Sequence, residues 1–168
     1  MVTLDKAAEA GQYLTFFMAG EEYAVKIVKV REIMEYPSVT PVPLTPPWIM
    51  GVLNVRGNVV PVVDLGVKFG IGVREITART CIVIVDADLD GTHSVMGIIA
   101  DQVSAVMDFK EGDVEPAPDF GGKVDVDYLA GMAKTAEGFA LMLDIDAVLS
   151  ADEILELAEI AKPETIEG

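Results

Sequence analysis

Cysteine is nearly absent from this chain: Cys81 is the single one. An intramolecular disulfide is therefore excluded, and a reduced, cytoplasmic setting is expected. Histidine is equally scarce, and His93 alone cannot build a histidine-based metal cluster. Only 12 lysines and arginines stand against 28 aspartates and glutamates, a net charge of −16. Such a surface repels phosphate backbones and anionic lipid, which argues against nucleic-acid and membrane-surface roles. Long apolar runs are missing too. Residues 81–85 and 139–143 are far too short to insert in a bilayer. The first eleven residues carry Asp5, Lys6 and Glu9, with no apolar segment of a signal peptide.

Catalytic patterns are missing as well. None of Ser38, Ser94, Ser104 and Ser150 lies in a Gly-x-Ser-x-Gly elbow. Gly70-Ile71-Gly72 follows no strand, and no nucleotide-binding loop occurs, so neither an active site nor a cofactor is expected. Cys81 reads as a small buried hydrophobe and His93 as a solvated loop residue. Asp86, Asp88, Asp90 and Gly91 match the first half of a calcium loop. Its twelfth position is Gly97, where a bidentate glutamate is needed, so a polar hairpin is expected; a calcium-sensing module is the competing reading.

What is present is about half hydrophobic, 51%, and long enough to bury roughly 70% of its unfolded surface without staples. Short strands at residues 12–18, 22–27, 52–55, 59–63, 80–85, 92–99, 128–134 and 139–143 are separated by turn residues. Val30, Ile33 and Met34 have helical spacing. Four prolines break residues 40–47, after which Thr45 and Pro46 open a short helical turn ended by Gly51. In the hairpin loop Arg56-Gly57-Asn58, glycine and asparagine supply the positive φ. Asp64 caps a helical turn reaching Gly70, and a loop runs from residue 100 through Pro116 and Pro118. Ser150 and Glu153 form a capping box for a last helix, stopped by Pro163.

The chain also repeats. A displacement of 80 residues lays Trp48-Ile49-Met50-Gly51 on Tyr128-Leu129-Ala130-Gly131, and Val62-Val63-Asp64-Leu65 on Met142-Leu143-Asp144-Ile145. A displacement of 73 lays Val30, Ile33 and Met34 on Val103, Val106 and Met107. The change of offset places a longer loop near residues 119–127. An all-β duplication follows, two similar small barrels in tandem. The expected divisions are residues 12–76, residues 77–149 and a C-terminal helix at 150–162.

One surface residue stands out. Arg56 is a rare cation at a hairpin tip, framed by Val55, Val59 and Val60. Solvated arginine and interface anchor are both open on residue type alone. Glu32 is its candidate intramolecular partner.

The run Asn54-Val55-Arg56-Gly57-Asn58-Val59-Val60-Pro61-Val62-Val63-Asp64-Leu65 resembles the core signature of the CheW family. The resemblance extends through Glu22-Tyr23, Val30-Arg31-Glu32-Ile33, Pro47-Trp48-Ile49-Met50-Gly51, Asp101-Gln102-Val103, Pro116-Ala117-Pro118 and Tyr128-Leu129-Ala130-Gly131, covering about residues 12–150. It implies two intertwined five-stranded SH3-like barrels. It also implies a non-enzymatic adaptor joining chemoreceptor cytoplasmic tips to the regulatory domain of the histidine kinase CheA. The receptor-facing positions it implies are Val30, Gly51, Arg56, Cys81, Gly97 and Val106; the kinase-facing ones are Glu32, Ile33, Val39 and Val42. Cys81 departs from the aliphatic residue usual there. A stand-alone member of the family, without an attached receiver or kinase region, is expected.

Overall fold

The computed structural model describes residues 11–89, 91–116, 128–149 and 151–161. The first part of the chain contributes β1 (Gly11–Met18), β2 (Glu21–Lys26), β3 (Val30–Glu35), β4 (Ile49–Val55), β5 (Asn58–Val63) and the single turn α1 (Leu65–Lys68). The second contributes β6 (Cys81–Leu89), β7 (Thr92–Ala100), β8 (Gln102–Phe109), β9 (Val114–Glu115), β10 (Leu129–Thr135), β11 (Gly138–Leu143) and α2 (Ala151–Ala161). The fold is all-β, with helix confined to α1, α2 and short 3-10 turns among the described residues.

Two sheets form, ordered β8-β1-β2-β11-β10-β9 and β3-β6-β7-β5-β4. Matching β1, β2, β3, β4 and β5 with β6, β7, β8, β10 and β11 converts the second order into the first five strands of the first, the two-residue β9 standing outside the match. The halves therefore exchange strands, each opening hairpin completing the other half's sheet. Register agrees to the residue. Val62 lies parallel to Gly97, and Met142 parallel to Ala24, positions related by the shifts of 80 and 73. The Asp64 N–H donates to the Trp48 carbonyl at 2.7 Å, and the Asp144 N–H to the Tyr128 carbonyl at 2.8 Å.

Three apolar clusters explain the burial. The central strands are covered on both faces, so residues 14–16 and 82–85 are apolar or buried without alternation. Leu14, Phe16 and Val25 meet Val83, Val85 and Ile98 in the core between the sheets. Each sheet also encloses a core to which both its flanks contribute: Tyr13, Phe109 and Ala133 in the first, Leu53, Ile82 and Ile84 with Met34 in the second. That is barrel-like closure, which removes open edges.

Several expectations need correction. Val30–Glu35 is strand, not helix. A bulge at Arg31 sets Val30 opposite Val85 and Ile33 opposite Val83, so two residues three apart face the same way. The expected loop after residue 100 contains strand β8, with the same spacing between Val103 and Val106 around Ser104. Trp48 sits within a turn closed by Ile49 N–H donating to the Pro46 carbonyl at 3.0 Å, and Ile49 already begins β4, so no helix forms there. Strand also continues through residues 86–89 of the expected polar loop. Ser150, Pro163, Pro118 and the loop at 119–127 lie outside the described residues.

Candidate functional site

At the tip of the β4–β5 hairpin, Arg56 and Gly57 both have positive φ, 51° and 86°. This is the primed two-residue turn whose twist suits adjoining strands. Arginine rather than Asn58 takes the first left-handed position. Asn54 stabilises it, its Oδ1 accepting from the Gly57 N–H at 2.9 Å. The turn directs Arg56 across the sheet to β3, where its Nη1 donates to Glu32 Oε1 at 2.6 Å, as expected. Glu32 is 27% exposed and Arg56 74%, so the carboxylate is a partly sheltered base for an outward-facing guanidinium. That hydrogen bond, and secondarily the charge of Glu32, pushes the Arg56 pKa up and keeps it cationic.

A cleft of about 740 Å³ opens beside the pair. Val55, Val60, Ile84 and Val95 give it an apolar lining, and Arg31, Glu32, Arg56 and His93 are charged or titratable groups on it. Asp86 ties two of these together. Its Oδ1 lies 2.6 Å from His93 Nε2 and its Oδ2 3.3 Å from Arg31 Nε. Arg31 and His93 were missed as site residues: a bulge, not a pattern, brings the arginine here, and the histidine lies on a strand end rather than in a loop. Among the described residues no three metal-ligating side chains converge, Asp90 lying outside them.

The other candidates form three pairs, with Cys81 and Val106 standing singly. Val30 and Ile33 line β3 on the side of the inter-sheet core, Val30 half-buried and Ile33 42% exposed. Val39 is packed against the second sheet's own core, and Val42 is half-buried in the proline-rich loop. Gly51 and Gly97 present no side chain; they permit close approach. A Cβ on Gly51, φ +143°, would run into the Thr40 carbonyl, and one on Gly97 would lie 2.7 Å from Ile82 Cγ2. Cys81 is half-buried on β6, and burial, then the charge of Glu35, pushes its thiol pKa up. Val106 is set apart. It lies on β8 in the first sheet, opposite Leu14, and is 53% exposed. It occupies the repeat position of Ile33, so the two edge strands present equivalent exposed apolar residues.

The model of the CheW-like domain matches residues 12–153. The chemotaxis protein CheW of Klebsiella aerogenes is 37% identical over 151 residues, covering 90% of this chain and 89% of that protein. The chemotaxis protein CheW of Bacillus subtilis is 32% identical over 141 residues, 83% of this chain and 86% of that one. The crystal structure of the scaffolding protein TtCheW from Thermoanaerobacter tengcongensis superposes with a TM-score of 0.73 at 30% identity, over 86% of this chain and 95% of that one.

Proposed function

Because the chain belongs to the CheW family, we propose that it is a cytoplasmic, non-enzymatic scaffold of chemotaxis signalling that couples chemoreceptor tips to the histidine kinase CheA. The observation that carries this reading is the Arg56–Glu32 pair of 2.6 Å beside an apolar cleft, on a chain of net charge −16. A cation held at a fixed place by a neighbouring carboxylate is pre-organised for a partner acceptor, and arginine is a favoured interface anchor. Val30, Arg56 and Val106 would meet the receptor helices. Gly51 and Gly97 would shape the same region, and Cys81 would pack beside it. Glu32, Ile33, Val39 and Val42, contiguous along β3 and the following loop, would face the kinase regulatory domain. Mass action is all such a scaffold supplies, since both partners are brought within reach without bond chemistry.

The test is a titration of Arg56→Ala against receptor tip and kinase regulatory domain, with a melting curve alongside. Truncating an exposed turn arginine changes stability by about 0.5 kcal/mol or less. Losing an interface anchor costs about 2 kcal/mol, roughly thirtyfold in affinity. Normal binding to both partners would contradict the assignment.

A further inference from the structure

Leu44, at the tip of the proline-rich loop, is fully exposed at 102% and has φ 62°. Neither feature serves folding. The side chain buries no apolar surface, and its backbone sits in the left-handed region where asparagine or glycine is better tolerated. The loop nonetheless holds it firmly. Pro41 and Pro43 fix the chain before it, and Thr45 Oγ donates to the Val42 carbonyl at 2.9 Å. Thr40 and Val52 exchange backbone hydrogen bonds of 2.9 and 2.8 Å at its base.

Facing the loop is α2, and between them runs a groove of about 660 Å³. Val42, Leu44, Val59 and Ile160 line it with apolar surface, Glu156 and Glu159 add carboxylates, and among the described residues no lysine or arginine lines it. Val59 also lines the Arg56 cleft, so the two depressions are contiguous.

We propose that this groove completes the kinase-facing surface and docks a partner segment that carries lysine or arginine beside an aliphatic side chain. The inference rests on the adaptor reading of Val39 and Val42. Leu44 packs against the partner's aliphatic group, while the α2 carboxylates attract its cation. A second copy of this chain is disfavoured as occupant, because two bodies of net charge −16 repel.

The experiment titrates Leu44→Asn, the double reversal Glu156→Lys with Glu159→Lys, and Ile33→Ser against the kinase regulatory domain, at about 50 and about 500 mM salt, with melting curves. Leu44→Asn is expected to bind at least about tenfold more weakly (about 1.4 kcal/mol) with an unchanged or higher Tm, since asparagine relaxes the backbone. The charge reversal is expected to bind weakly at low salt and to approach wild type at high salt, where screening is short-ranged. Wild-type affinity in Leu44→Asn and the reversal, with binding lost in Ile33→Ser, overturns the groove and leaves the adaptor reading standing. Wild-type affinity in all three removes both.

Discussion

Arg74 is the strongest test of how the halves are locked. It is 14% exposed and sits between two carboxylates, with Nη1 2.7 Å from Asp64 Oδ1 and Nε 3.1 Å from Asp101 Oδ1. Asp64, 5% exposed, also caps α1 by accepting from the Gly66 N–H at 2.9 Å. Asp101, between β7 and β8, accepts from the Ala19 N–H of the β1–β2 turn at 2.8 Å. One guanidinium thus joins α1, the β7–β8 junction and, through Asp101, a turn of the opposite sheet. Burial works to lower its pKa, but hydrogen bonds and charge from Asp64 and Asp101 outweigh this and raise it. Arg74→Met keeps the volume and leaves Asp64 buried beside no cation. Breaking such a pair from one side costs about 3–5 kcal/mol; the two backbone donors left to Asp64, the Gly66 and Val67 N–H groups, favour the lower end. At about 2–4 °C per kcal/mol for a domain of this size, Tm should fall by roughly 6–12 °C. Asp64→Asn keeps the cap and removes the charge. The double variant should recover part of the loss, with a coupling of at least about 1 kcal/mol in urea or thermal melts. Additive losses, or a single-variant loss below about 1 kcal/mol, would refute the reasoning.

Gly97→Ala should destabilise by about 1–3 kcal/mol, because the added methyl meets the fully buried, β-branched Ile82 at 2.7 Å; an unchanged urea midpoint would contradict that close approach. Cys81 should react slowly with a thiol reagent at neutral pH. Its raised pKa keeps the thiolate scarce, so the rate should climb only at a pH above that of a free cysteine, as a pH–rate series would show.

How far the sequence disclosed this structure depended on whether a regular period survived. The β4–β5 and β10–β11 hairpins were legible, because each is a pair of short apolar runs broken by a glycine-containing turn. β3 and β8 were not. One bulged residue, Arg31 or Ser104, moves the inward set by one position, so Val30 and Ile33, or Val103 and Val106, acquire a spacing of three. The internal repeat showed that these two segments match without revealing that both are strands. Strand exchange was expected from family resemblance. Local pattern cannot encode it, since β3 packs equally well on any apolar neighbour of the right register. At the site, Arg56 and its partner Glu32 were readable from scarcity of positive charge and apolar framing. Leu44 was hidden among prolines, for nothing in residue type says that a leucine will face water with a left-handed backbone.

The adaptor account is tested most directly by sedimenting receptor-containing membranes with the kinase, with and without this chain. The expected result is kinase pelleting that depends on the wild-type chain and drops sharply with Arg56→Ala, whose melting curve stays close to wild type. Kinase pelleting to the same extent without the chain, or a wild-type chain left in the supernatant, would contradict it.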